Sequence, residues 1–130
     1  MSNSIALIGS RAYPRPDLVR AYVRKLPTGT VLHCAGSAGP ATWAAEEARA
    51  MGLEVRDFAM DPEHGRGASY RRDIAMLNAT RWIVVFWDGA SSGTRTKMER
   101  AGHAGKLWRV YLEDGRRMSQ IENETWWCPF

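Results

Sequence analysis

The sequence predicts a single three-layer α/β domain with a mostly parallel sheet of about five strands, on three observations. Short apolar runs recur along the chain, stretches with helical spacing of apolar residues separate them, and small-residue turns join the two. Strands that alternate with helices pair in parallel and carry helices on both faces of the sheet. Right-handed crossovers then follow almost by default.

Ile5-Ala6-Leu7-Ile8 is a continuous apolar run ended by Gly9, the pattern of a buried strand. Residues 17–26 carry Leu18, Tyr22 and Leu26 at helical spacing, with Pro16 near the start and Pro27 blocking continuation. Thr30-Val31-Leu32-His33-Cys34 reads as the second strand. The turn Gly36-Ser37-Ala38-Gly39-Pro40 leads into a helix over about 40–51, rich in Ala and Glu, with Gly52 as its stop. Residues 53–60 read as a third strand, 61–67 as a polar loop, and 68–78 as a helix with Ile74, Met76 and Leu77 on its apolar side. Trp82-Ile83-Val84-Val85-Phe86-Trp87 is the strongest strand; a loop over 88–93, a helix over 94–105 and a fifth strand over 107–112 complete the pattern. The Rossmann-like domain is thus expected over residues 1–112. Residues 113–130 break the rhythm and end in Trp126, Trp127 and Phe130, an aromatic extension expected to pack on the domain or on a second subunit. A homodimer is the expected assembly.

The 130 residues suffice for one domain with a real core, and 45% hydrophobic against 25% charged residues is a globular balance. The net charge of +4 favours anionic ligands in general, but no run of like charge marks a nucleic-acid surface. Cys34 and Cys128 lack metal-ligand spacing; Cys34 reads as a small buried hydrophobe. No disulfide framework, secretory leader or bilayer-length apolar stretch is evident, so the expectation is a soluble cytoplasmic protein. His33, His64 and His103 are widely separated and predict no metal site; each reads as a satisfied structural histidine, with His33, at a strand end, also placed where it could face the site.

Ligands of open parallel α/β sheets bind outside the carboxyl ends of the strands. Three small-residue loops are expected there: Gly9-Ser10-Arg11, Ala35-Gly36-Ser37-Ala38-Gly39, and Asp88-Gly89-Ala90-Ser91-Ser92-Gly93-Thr94. Small residues let backbone N–H groups approach an anion, and a helix N-terminus adds unpaired donors with a partial positive charge. Ser91, Ser92 and Thr94 add hydroxyls, while Arg11 and Arg72 offer bidentate hydrogen bonds to phosphate. Neither a G-x-G-x-x-G fingerprint nor a Walker A sequence is present, which argues against dinucleotide dehydrogenases and P-loop NTPases. Of the tryptophans, Trp43, Trp82, Trp87 and Trp108 are expected in the core, with Trp87 also placed to stack on a base.

This series of loops, with Arg72-Asp73 ahead of Met76, resembles the YspA-related branch of the SLOG superfamily over residues 4–112. The superfamily includes LOG-type phosphoribohydrolases, DprA-like proteins and sensors of nucleotide-derived signals, and the resemblance implies a Rossmann-like fold. In the LOG-type enzymes an Arg and a Glu act at the sugar; by position the Arg corresponds to Arg72, and the Glu position holds Lys97. A lysine cannot hold an oxocarbenium-like sugar as a carboxylate does. Ala38 and Ala41 stand where related proteins often have Arg and Asp, and Asp73 stands where Asn is common.

Retained phosphate loops without the carboxylate favour a binder. The expected ligand is a phosphate-bearing nucleotide derivative: a nucleoside monophosphate, an ADP-ribose-type molecule or a cyclic nucleotide signal. The protein would sense it or sequester it, with no cofactor. The alternative is a nucleotide N-glycosidase or deoxyribosyltransferase-like enzyme, with Asp88, Glu99 or Glu46 as the carboxylate. Single-stranded nucleic-acid binding ranks last, because the aromatics are not interleaved with a basic stripe.

Overall fold

A computed structural model of the chain describes residues 3–36 and 38–116. Ser37 and the segment with Trp126, Trp127, Cys128 and Phe130 lie outside the described residues.

Five strands form one parallel sheet: β1 (Asn3–Gly9), β2 (Thr30–Cys34), β3 (Glu54–Asp57), β4 (Trp82–Phe86) and β5 (Leu107–Tyr111). Their order is β3-β2-β1-β4-β5. Four helices connect them: α1 (Pro16–Arg24), α2 (Pro40–Ala50), α3 (Ala68–Ala79) and α4 (Ser92–His103). The three-layer Rossmann-like fold follows from the βα alternation, as the sequence predicts.

Period-two alternation within each strand splits the core. Leu7, Leu32, Cys34, Val84 and Phe86 face α1 and α2, meeting Val19, Val23, Ala44, Ala45 and Ala48. Ala6, Ile8, Ile83, Val85 and Trp87 face the other way, onto Met76, Met98 and Ala101 of α3 and α4. The alanines of α2 let its backbone approach the sheet closely. Arg20 and Arg24 of α1 reach Glu46 (2.8 Å) and Glu47 (3.1 Å) on α2 and rivet the two helices at the surface.

Several expectations need correction. The 61–67 segment is not a plain loop: Pro62–Gly67 is a 3₁₀ helix leading into α3, capped by the Asp61 carboxylate and kinked at Gly65. Trp108 is not a core residue but 42% exposed. The β4–β5 register pairs Ile83 with Leu107 and Val84 with Arg109, so Trp108 is the extra residue of an irregularity. His33, by contrast, is the satisfied structural histidine that the sequence favours. It is buried, its Nδ1 lies 2.6 Å from Thr80 Oγ1, and its ring packs on Phe58. Because the Thr80 hydroxyl donates to Met76 O, the His33 Nδ1 must carry a proton and donate to Thr80. Cys34 is buried as expected, and burial pushes its thiol up to about 12.

Gly9 ends β1 against the first turn of α2. A Cβ there would lie 2.5 Å from Pro40 Cγ and 3.0 Å from the Phe86 carbonyl oxygen. The proline ring is held by its helix and cannot swing aside. Gly9→Ala is therefore expected to destabilise the protein by about 1–3 kcal/mol, the usual cost of overpacking. Urea unfolding of the pair would measure it, and an unchanged midpoint would refute the tight contact.

Candidate functional site

The chain leaves β1 towards β2 on one side and leaves β4 towards β5 on the other. Neighbouring strands whose connections depart in opposite directions leave a crevice at their carboxyl ends. A cleft of about 360 Å³ lies there, lined by Gly9, Arg11 and Ala12 after β1, Ser69 and Arg72 on α3, Asp88 and Ser91 after β4, and Gly93, Thr94 and Lys97 on α4.

The loop after β4 is shaped by its own side chains. The Asp88 carboxylate accepts from the amides of Ala90 (2.9 Å) and Ser91 (2.8 Å). Burial would raise its pKa, but those two amides and Ser10 outweigh it and hold the carboxyl below the ordinary range. Ser91 then caps α4: its Oγ accepts from the Thr94 amide, and its carbonyl accepts from the buried indole N–H of Trp87. Trp87 is thereby committed to the interior and does not stack on a base. Helix α4 begins at Ser92, two residues earlier than the sequence suggests.

The β1 loop is stitched to this turn. The buried Ser10 hydroxyl donates to Thr94 Oγ1 (3.1 Å) and accepts from the Asp88 amide (3.2 Å). Ser10 therefore ties two loops together. What α4 leaves open are first-turn amides, those of Ser92 and Gly93, the orphan donors of any helix start. Neither has an acceptor among the described residues.

Arg72 is the anchor of the opposite wall. Its side chain is only 8% exposed; its Nη1 donates to the Ala35 carbonyl (3.1 Å) and its Nε to Asp73 (3.2 Å). Nη2 lies 3.4 Å from Ser69 Oγ. The fork has five N–H groups, so donors remain for a ligand. Asp73, 10% exposed, also holds Lys97 at 3.8 Å, giving a row Arg72–Asp73–Lys97 between α3 and α4. Burial lowers the Lys97 pKa from its usual value; Asp73 opposes this, and Arg72, Arg100 and Arg11 add to it. Arg11 is exposed at the mouth.

The β2 loop contributes from behind. Gly39 packs beside the Arg11 backbone, and its φ of 90°, in the left-handed region, is what calls for glycine there. Gly36 is exposed in the same turn, and neither glycine lines the cleft. Gly89 and Ser92 flank the cleft without lining it. Of the candidate carboxylates, Asp88 alone lines it; Glu99 does not, and Glu46 is paired with Arg20 on the surface of α2. Sequence reasoning missed Ser69 and Lys97 as lining residues. The signal was there: each lies three positions from a recognised residue, Arg72 and Thr94, and so shares its helix face.

Among the described residues, no group of three His, Cys, Asp or Glu side chains could hold a metal ion, and no helix is long and apolar enough to cross a membrane. Compared with protein-family models, curated proteins and solved structures, the chain matches none.

Proposed function

We propose that this cleft binds the phosphate of a nucleotide derivative and that the protein senses or sequesters that ligand. The observation carrying the reading is the junction of the unpaired Gly93 amide at the start of α4 with Arg11, Arg72 and Lys97 around one polar cleft at the strand crossover point. Three cations face two carboxylates, Asp73 and Asp88, so an anion neutralises the site. The volume falls in the range of small-molecule pockets, roughly 300–1,000 Å³. The nucleotide part rests on the crevice's place in the fold and on the resemblance to the SLOG superfamily. Asp88 spends one carboxylate oxygen on holding its own turn, which favours binding over glycosidic cleavage.

The direct test is a thermal-shift panel of nucleoside monophosphates, ADP-ribose and cyclic ADP-ribose isomers. A ligand at a hundredfold excess over its Kd stabilises by about 2.7 kcal/mol. Inorganic phosphate at high concentration should compete. A panel in which nothing raises the melting temperature would overturn the proposal.

Lys97 supplies a pH signature. A partly buried ammonium costs the folded protein stability at neutral pH; that cost is relieved as pH rises through the depressed folded value towards the usual 10.5, where the unfolded chain still holds its proton. Binding runs the other way. The anion needs the charged lysine, so affinity should fall as pH climbs through that same window. A phosphate monoester has its second pKa at about 6 and is already dianionic there. Lys97→Met should weaken binding at neutral pH and flatten the alkaline decline, as isothermal titration from pH 7 to 10 would reveal. An alkaline decline of the same steepness in Lys97→Met would assign it to another group.

A further inference from the structure

The sheet has one uncovered flank. On the face that carries α1 and α2, Tyr13 and the α1 residues Val19 and Val23 pack with Val84 and Phe86 of β4, but no described helix lies over β5, whose Tyr111 is only partly buried. An apolar groove of about 330 Å³ runs there between Leu18, Tyr22 and Leu26 on one wall and Phe86 and Tyr111 on its floor. The floor is a set of touching rings: Tyr22–Phe86 at 5.8 Å, Tyr22–Tyr111 at 5.5 Å, Phe86–Tyr111 at 5.2 Å. Tyr22 and Leu26 also line a second groove of about 280 Å³, which continues the first to Trp82 and Trp108 at the other end of the strands. The two form one trough where a further layer of an α/β sandwich would lie. A continuous apolar surface of this kind on a small domain marks something that covers it.

We propose that the trough is the docking surface for this chain's own residues 117–130. The path of the chain argues for it. After β5 the Leu112 carbonyl accepts from Tyr13 Oη (2.9 Å), and the turn closes with the Leu112 amide on Arg116 O (2.8 Å). Gly115 lines the trough, and a Cβ there would stand 3.6 Å from Leu18 Cδ1. The chain at residue 116 is thus already at the rim. The next fourteen residues bring Met118, Ile121, Trp126, Trp127 and Phe130, an apolar set fit for an aromatic floor. Glu122 and Glu124 complement Lys25 on the wall and Arg109, which stacks on Trp108. Reach is sufficient: the wall from Leu18 to Leu26 spans about 12 Å, and fourteen residues cover about 21 Å even when helical. A tethered segment also competes at an effective concentration of order millimolar, which a second copy of the chain does not match in dilute solution.

The test uses Cys128 of the full chain. Cys34 is buried, with its thiol pushed up to about 12, so a nitroxide thiol reagent at neutral pH goes to Cys128. In uniformly ¹⁵N-labelled protein the nitroxide should broaden the amide signals of Ala21, Tyr22, Leu26 and Tyr111 and leave those of Ser69, Arg72 and Ser91 sharp. A sample mixing spin-labelled ¹⁴N protein with unlabelled ¹⁵N protein should show no broadening. Ala21→Arg, which fills the trough, should abolish the effect without changing nucleotide binding in the cleft. Sharp trough signals in the first sample would overturn the proposal. So would broadening in the mixed sample, which would assign the trough to a second copy.

Discussion

Arg72→Ala should weaken binding of the phosphorylated ligand by roughly 10- to 150-fold, the equivalent of about 1.5–3 kcal/mol for a hydrogen bond to a charged group. It should also lower the stability of the free protein, because the fork serves the fold as well as the cleft. Removing it leaves the Ala35 carbonyl without its guanidinium donor and leaves Asp73, 10% exposed, with Lys97 as its remaining ion-pair partner among the described residues. A buried polar group left unpaired costs about 1–3 kcal/mol. Arg72→Lys should rescue little, since a single ammonium cannot span Ala35 O, Asp73 and the ligand together. The control is Arg20→Ala, which breaks surface contacts with Glu46, Glu47 and the Trp43 carbonyl outside the cleft lining; it should cost about 1 kcal/mol and leave affinity unchanged. Calorimetric titration with denaturant melts of all three would decide. An Arg72→Ala protein that binds as the parent does would remove Arg72 from the site and leave it a purely structural role.

The distribution of what the sequence disclosed follows from where the information lies. β2 and β4 are legible almost to the residue, because a central parallel strand is apolar on both faces and is bounded by turn residues. β3 is legible only as a region. It pairs with β2 alone, so Glu54–Asp57 are the residues that find partners while the flanking apolar positions drift off the edge. The start of α4 is hidden because serine and glycine are poor helix formers; the cap that makes them helical is Ser91 Oγ on the Thr94 amide. The exposure of Trp108 depends on a register irregularity between β4 and β5 that no single strand encodes. In the cleft, the small-residue loops carry their chemistry in their composition. The Arg72–Asp73–Lys97 row is a property of two helices meeting, which neither helix's sequence states alone.

Gly93 separates the ligand from the fold more cleanly than any other position. A Cβ built there meets nothing within 4 Å, and its backbone lies outside the left-handed region, so the helix accepts a side chain without strain. Replacing glycine inside a helix gains about 0.5–1 kcal/mol through the lower entropy of the unfolded chain. Gly93→Ala should therefore raise the melting temperature slightly. That open space is cleft volume, beside the residue's own unpaired amide. A ligand oxygen bonded to that amide sits about 2.9 Å from the nitrogen, and the two methyl groups of valine would crowd it. Gly93→Val should accordingly keep the fold at or above parental stability while affinity falls by roughly 5- to 150-fold, the range set by about 1–3 kcal/mol of overpacking. Stability rising while affinity falls is the pattern of a glycine kept for its ligand, and the opposite of Gly9, whose replacement should lose stability through Pro40. Parental affinity in Gly93→Val would move the anion away from the start of α4 and take the central support from the proposed function.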